Sequence, residues 1–262
     1  MRKHSDIKLF LDDAVLKYNN KSFIEHDPVS IPHIFSKKED IEIAGFLAAT
    51  IAWGNRKSIL SNAKKLMQMM DMQPHDFILS SSKADLKVFE KFVHRTFNGI
   101  DCIFFIESLK NIYKKHGGLE SAFGLNDSYT NNDFLLKERI IGFRKIFLET
   151  KHLNRSEKHI SNPAAKSSAK RICMFLRWMV RKDKKGVDFG LWQSIKPSEL
   201  CLPLDVHTGS VSRALGLLNR NQNNWQTVEE ITIVLRQFDP IDPIKYDFAL
   251  FGLGVNGFLK ET

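Results

Sequence analysis

The stretch Cys201-Leu-Pro-Leu-Asp-Val-His-Thr-Gly-Ser-Val-Ser-Arg-Ala-Leu-Gly-Leu217 decides how the chain around it folds. Pro203 favours an extended entry, and Asp205 then stands at the position of a helix N-cap. An apolar stripe with helical spacing follows, through Val206, Val211, Leu215 and Leu218. An N-cap carboxylate accepts backbone N–H bonds at the positive end of the helix dipole, and both effects favour its ionised form. Two interpretations of Asp205 are therefore open, a structural cap and a catalytic carboxylate.

Helical periodicity also runs through most of the remaining chain. It predicts helices over residues 5–19, 38–52, 57–70, 77–92, 100–116, 119–123, 132–152, 169–181, 224–238 and 245–253. No segment alternates with period two for long enough to predict a strand. The predicted fold class is therefore all-α, a bundle of about ten or more helices. Residues 1–262 are expected to form a single all-helical unit, or two lobes around a cleft.

Composition is that of a globular protein, with 43% hydrophobic and 26% charged residues in a chain of 262. No apolar run approaches the ~20 residues that span a membrane, and residues 1–6 lack the apolar stretch of a signal peptide. Cys102, Cys173 and Cys201 are few and far apart, which predicts no disulfide framework, zinc site or iron–sulfur cluster. The expectation is a cytoplasmic protein without a metal, a cofactor, a membrane contact or an obligate protein partner.

The net charge of +9 is concentrated in one block. Residues 137–185 contain 15 Lys and Arg against 4 Asp and Glu, so the rest of the chain has a charge of about −2. A basic block inside a folded region is typical of a protein that binds a phosphate-rich partner. A solvated basic face without a partner is the alternative.

The predicted helix over residues 169–181 lies inside this block. At about 100° per residue its apolar side chains fall on one arc, and Lys170, Arg177 and Arg181 fall within a ~40° sector opposite. This geometry predicts one buried face and one exposed stripe of positive charge, which Lys166 would extend if the helix began earlier. Trp192, further on, either stacks on a base or pins its loop to the core.

Three further features invite a functional interpretation. Gly54-Asn55-Arg56 joins two predicted helices, and it either offers backbone N–H groups and a guanidinium to a ligand or is an ordinary turn. His207 lies two residues after Asp205. Asp242, with Pro243 at the first helical position, is expected to cap the closing helix.

Together these pieces resemble the helix-hairpin-helix DNA glycosylases. Pro203-Leu-Asp-Val-His207, followed by Arg213 and a Leu-Gly pair, is similar to the signature of that superfamily, and residues 169–179 resemble the helix that carries its catalytic lysine. The long insert between Lys170 and Asp205 is similar to the layout of the archaeal 8-oxoguanine DNA glycosylase/lyases. The glycosylase-like segment spans residues 160–254, which also resemble a bacterial family of unknown function. The superfamily's hairpin is rich in glycine, whereas residues 161–168 contain none.

The resemblance implies roles for individual residues. Asp205 would be the catalytic carboxylate that stabilises positive charge on the sugar, and Lys170 would be the Schiff-base lysine, activated within a cluster of cations. The damaged base of double-stranded DNA would be flipped out of the stack. The side chains expected to hold nucleic acid are Lys166, Arg177, Arg181, His207, Arg213, Asn55 and Arg56.

Three hypotheses follow for function. The first is a DNA-repair N-glycosylase with or without lyase activity. The second is a non-catalytic nucleic-acid-binding protein on the same scaffold. The third is an enzyme that acts on another nucleotide or RNA substrate with the same Asp205 and Lys170.

Overall fold

The structure is a computed structural model that describes residues 4–124 and 135–258. These residues form twelve α-helices, several short 3-10 turns and one hairpin of two-residue strands, which confirms the all-α prediction. The helices are α1 (His4–Tyr18), α2 (Ser22–Glu25), α3 (Lys38–Thr50), α4 (Arg56–Gln68), α5 (Pro74–Ser80), α6 (Gly99–Lys115), α7 (Leu119–Ala122), α8 (Leu135–Phe147), α9 (Lys170–Val180), α10 (Val206–Ala214), α11 (Trp225–Phe238) and α12 (Tyr246–Val255). The antiparallel strands are β1 (Val93–His94) and β2 (Phe97–Asn98).

The chain divides into two compact units. Unit 1 consists of Met1–Glu25 together with Pro163–Thr262, and unit 2 is the intervening His26–Asn162. Unit 1 is therefore discontinuous in sequence, since its first two helices precede unit 2 and its last four follow it. Most of the glycosylase-like segment, residues 160–254, lies in unit 1.

Unit 2 is built around a core of phenylalanines. Phe46 of α3 packs against Phe105 of α6 and against Phe143 and Phe147 of α8, with ring centroids 5.5 to 6.0 Å apart. Phe123 stacks on Phe143 at 4.0 Å and 9°. Aromatic pairs of this kind add to the burial of apolar area, and they hold the three helices in fixed register.

Unit 1 is built around α12, an almost wholly apolar helix. α1 packs along it on one side and α10 on another, and two glycines allow the close approach. A Cβ at Gly252 would lie 2.3 Å from the Tyr18 ring, and a Cβ at Gly254 would lie 2.9 Å from the Cβ of His207. The end of α1 and the start of α10 therefore meet the same end of α12.

Most predicted helices agree with the structure to within two residues at each end. The predicted helix 77–92 is wrong, because Pro74–Ser80 is helical and Asp85–Lys91 is a 3-10 helix after an interruption at Ser81–Ala84. The predicted helix 132–152 is shorter as α8, and its residues 132–134 lie outside the described residues. Trp192 is buried against Phe175 at 5.4 Å, which confirms that it pins its loop to the core.

Candidate functional site

The two residues with predicted catalytic roles lie next to each other in unit 1. Lys170 is the first residue of α9, and Asp205 is the N-cap of α10. The Lys170 Nζ lies 3.8 Å from Asp205 Oδ2, and their side chains are 26% and 23% exposed. An ion pair of this exposure is reached by solvent, so a ligand can reach both groups. Thirty-five positions separate them in sequence, and the fold brings them together.

Asp205 is held by a reciprocal cap. Its Oδ1 accepts hydrogen bonds from the Thr208 N–H at 3.0 Å and from the Thr208 hydroxyl at 3.3 Å, while its own N–H donates to Thr208 Oγ1 at 2.9 Å. This capping box confirms the N-cap prediction. Because the cap uses Oδ1, the other oxygen is the one directed to Lys170, and one carboxylate carries both roles.

Arg213 organises the loop that supports Asp205. Its guanidinium donates to the carbonyl oxygens of Arg220 and Asn221 and to Asn223 Oδ1, at 2.6 to 3.0 Å. Asn223 Nδ2 in turn donates to the Asp205 carbonyl at 3.1 Å. These bonds make Arg213 a positioning residue for the cap, and the expectation that it holds nucleic acid stays a prediction.

The glycine-free stretch before Lys170 adopts backbone angles that favour glycine. Lys166 has φ 68°, and Ala169, the N-cap of α9, has φ 49° and ψ 30°. The Lys166 N–H donates to the Pro163 carbonyl, and the Ala169 N–H donates to Ser167 Oγ. The Lys166 carbonyl accepts from the Trp225 N–H at 3.2 Å, which ties the stretch to the start of α11. Two amides that a glycine-rich hairpin would offer to a phosphate are thus used internally.

Substitution at Ala169 tests this strain. Ala169 is 1% exposed, and a β-branched residue is strongly disfavoured in left-handed backbone. Ala169→Val is expected to lower the free energy of unfolding by about 2 kcal/mol or more. Ala169→Gly is expected to change it by less than about 1 kcal/mol, because relief of strain offsets the lost methyl group and the added chain entropy. Urea unfolding of both variants measures this, and equal destabilisation by Gly and Val would contradict it.

Arg177 and Arg181 do not form an exposed stripe. Both are buried, at 3% and 2% exposure, and both are paired with carboxylates. Arg177 pairs with Asp188 at 3.2 Å and with Asp247, and its guanidinium lies 4.3 Å from the Phe248 ring centroid. The prediction that they contact nucleic acid is therefore wrong for this structure. The expectation that they form a cluster of cations that activates Lys170 is also wrong, because carboxylates pair with both arginines.

The ion pairs of Arg181 determine the role of Asp242. It pairs with Asp188 at 3.0 Å, with Asp183 at 2.8 Å and with Asp242 at 2.9 Å. Asp242 makes no side-chain cap hydrogen bond, although it precedes Pro243 as predicted. Its carboxylate is paired with a guanidinium 61 positions away. Asp242 therefore occupies the predicted N-cap position, at the 3-10 turn before α12, without the cap hydrogen bond.

Asp247 connects this buried network to the Lys170–Asp205 pair. The pKa of Asp247 is raised to about 6, chiefly by burial and also by the nearby negative charge of Asp205, against the opposing attraction of Arg177 and Lys170. Burial likewise raises the pKa of Asp188. Asp247 is the site residue that pattern analysis did not single out. The sequence did contain a signal, because Asp247 is a lone carboxylate in an otherwise apolar helix. A carboxylate in such a helix is rare unless it is paired.

Arginines and lysines of the basic block have different environments. The arginines at 139, 144, 155, 171, 177 and 181 are buried or partly buried. Seven of the nine lysines are exposed, namely those at 145, 151, 158, 166, 182, 184 and 185. Arginine suits buried ion pairs because its guanidinium is planar and weakly hydrated. The positive charge available to a partner is therefore carried mainly by lysine.

The remaining predicted binding residues fall in two places. Lys166 and His207 are exposed in unit 1, and the His207 ring lies 6.0 Å from Phe251. Asn55 and Arg56 are exposed in unit 2, where the Asn55 side chain caps α4 by accepting from the Ser58 N–H at 3.3 Å. Asn55 therefore has an ordinary structural role between two helices, as one of its two interpretations predicted.

The chain belongs to the family described as protein of unknown function DUF2400, whose model matches residues 27–256. No curated protein and no solved structure matches it. In residues 4–124 and 135–258, no group of three or more His, Cys, Asp or Glu side chains is arranged to hold a metal ion. The same described residues include no helix that is long and apolar enough to cross a bilayer.

Proposed function

We propose that this protein is a cytoplasmic DNA-repair enzyme that flips a damaged base out of duplex DNA and cleaves its N-glycosidic bond, with Lys170 forming a Schiff base. The observation that carries the proposal is the Lys170–Asp205 pair, a partly exposed ammonium 3.8 Å from a helix-capping carboxylate. A nucleophile and an anion beside a developing cation are the two groups that this chemistry needs.

The proposed reaction uses each group once. The Lys170 ammonium first gives a proton to solvent. The neutral Nζ then forms a bond to the sugar carbon as the glycosidic bond breaks, the bonding electrons leave with the base, and the base takes up the second proton that Nζ loses on becoming a secondary amine. Asp205 stabilises the positive charge that the sugar carries between these events. The ring C1–O bond then breaks, the ring oxygen takes up the remaining N–H proton, and the imine forms. Loss of a proton from the adjacent sugar carbon expels the 3′ phosphate and cleaves the strand.

Borohydride trapping tests the proposal. Wild-type protein mixed with duplex DNA that contains abasic or oxidised sites is expected to give a covalent adduct, because borohydride reduces the imine to a stable amine. Lys170→Ala is expected to give none. DNA binding without an adduct or base release over a panel of lesions would overturn the enzymatic proposal.

A non-catalytic nucleic-acid-binding protein is the second candidate, and the exposed lysines favour it. Positive charge at the surface attracts phosphates whether or not a base is removed. The trapping experiment separates the two candidates, because the binding protein would form a complex that no borohydride treatment makes covalent.

A further inference from the structure

A cluster of exposed lysines lies at the far end of α9 from Lys170. The lysine patch consists of three residues after α9 and two at the end of α1, namely Lys182, Lys184, Lys185, Lys17 and Lys21. In the part of the chain that the structure describes, no carboxylate lies within salt-bridge distance of their ammonium groups. Their charge is therefore available to a partner.

The loop that carries three of these lysines has a fixed conformation. The Asp183 carboxylate accepts from Asn19 Nδ2 at 2.7 Å, from the Lys185 N–H at 2.8 Å and from Arg181 at 2.8 Å. A Cβ at Gly190 would lie 2.4 Å from the Lys182 Cβ, so Lys182 packs directly on that glycine. Asp183 therefore takes its hydrogen bonds from groups other than the ammonium groups of its lysine neighbours.

The two parts of the patch meet. A Cβ at Gly186 would lie 3.9 Å from the Lys21 Cε, so the lysine loop is adjacent to the segment that follows α1. Lys17 lies over the ring of Tyr18, at 5.2 Å. The bond from Asn19 to Asp183 holds this segment and the loop together. The loop with Lys182, Lys184 and Lys185 and the segment with Lys21 are therefore held next to each other by internal contacts.

The lysine patch is connected to the Lys170–Asp205 pair along the surface of unit 1. His207, two residues after Asp205, lies 6.0 Å from Phe251, and Phe251 lies 6.2 Å from Phe23. Phe23 is two residues from Lys21 of the lysine patch. The side chains of His207, Phe251 and Phe23 are all exposed or partly exposed. The eleven residues of α9 span about 16 Å, which corresponds to about five base pairs of rise along the duplex axis.

We infer that the lysine patch binds the phosphate backbone of the duplex that flanks the site at Lys170 and Asp205. The inference rests on the proposed function for its choice of partner. Duplex DNA carries one charge per ~1.7 Å of helix axis, and lysine side chains on a fixed loop can follow such a backbone without reading its sequence. The patch therefore supplies affinity and position, and the Lys170–Asp205 pair supplies chemistry.

The experiment uses the full chain and a duplex with an uncleavable abasic-site analogue. In the variant Lys21→Gln/Lys184→Gln/Lys185→Gln, the slope of log Kd against log salt concentration is expected to fall by about 2 to 3, since each lost phosphate contact removes about 0.9. Binding of the variant at low salt is expected to be about 10- to 100-fold weaker. Borohydride trapping is measured on a second duplex that contains a reactive abasic site, and the adduct yield at saturating DNA is expected to be unchanged, because none of the three residues lies beside Lys170 and Asp205.

The matched control is the triple variant Lys83→Gln/Lys114→Gln/Lys115→Gln. It removes three exposed lysines of unit 2 and leaves the lysine patch intact. An equal loss of affinity in both triple variants would overturn the assignment of the patch, and so would a wild-type protein that binds anionic phospholipid vesicles but not DNA. Patch-dependent DNA binding without an adduct would uphold the patch and reject the glycosylase. An adduct without patch-dependent binding would uphold the glycosylase and reject the patch.

Discussion

Asp205→Asn is expected to leave the fold intact and to slow base excision by about 100- to 1000-fold. Asn is as good an N-cap as Asp, and its Oδ1 can still accept from the Thr208 N–H, so the free energy of unfolding should change by less than about 1 kcal/mol. The amide carries no negative charge, so it stabilises neither the developing cation of the sugar nor the ammonium of Lys170. Single-turnover release of a damaged base measures the rate.

Thr208→Val provides the matched control for this prediction. The substitution removes the hydroxyl that accepts from the Asp205 N–H, at a cost of about 1 to 2 kcal/mol in stability, and it leaves the carboxylate in place. The rate of base release should stay within about tenfold of the wild-type rate, a change of about 1.4 kcal/mol in the barrier. If Asp205→Asn retained full activity while Thr208→Val lost it, Asp205 would be a cap alone.

Arg177→Met is expected to lower the free energy of unfolding by about 3 to 5 kcal/mol, because it removes one partner of a buried ion-pair network. Asp247 would lose its guanidinium, whereas Asp188 would keep Arg181. The loss is expected to be larger at about pH 8 than at about pH 5. Urea unfolding of variant and wild type at both pH values measures the difference.

The sign of this pH dependence follows from the pKa of Asp247. Burial already raises it to about 6 from 3.8, and removal of Arg177 raises it further. A carboxyl with a raised folded-state pKa binds its proton more tightly in the folded state, so its contribution to stability falls as the pH rises from 3.8 through the folded pKa. Arg177→Met/Asp247→Asn removes the unpaired carboxylate and should recover part of the loss. A deficit that is the same at both pH values would contradict this account.

Sequence periodicity predicted the helices well where each packs one apolar face on a core. The bounds of α9 were predicted to within one residue, and Ile172, Leu176 and Val180 are buried as expected. The N-cap at Asp205 was also predictable, because capping depends on residues within one turn. Local rules therefore account for most elements of the fold and for the cap role of Asp205, one of the two residues proposed to carry the chemistry.

The surroundings of Arg177 and Arg181 were not predictable from local rules. Periodicity placed them opposite the apolar face of α9, and a polar face is usually solvated. Here α12 and the loop at Asp188 cover that face, and they supply carboxylates from positions up to 70 residues away. One charge pattern fits a nucleic-acid stripe and a buried network equally well, and tertiary contacts decide between them.

The discontinuity of unit 1 has a consequence for synthesis on the ribosome. α1 is made before unit 2, yet Asp12 bonds to Tyr246 across 234 positions, and α12 emerges only after unit 2. Unit 2 is contiguous, so it can fold while unit 1 still lacks its central helix. The Lys170–Asp205 pair is therefore assembled only after unit 2 has been made, and the apolar face of α1 stays unburied until α12 arrives.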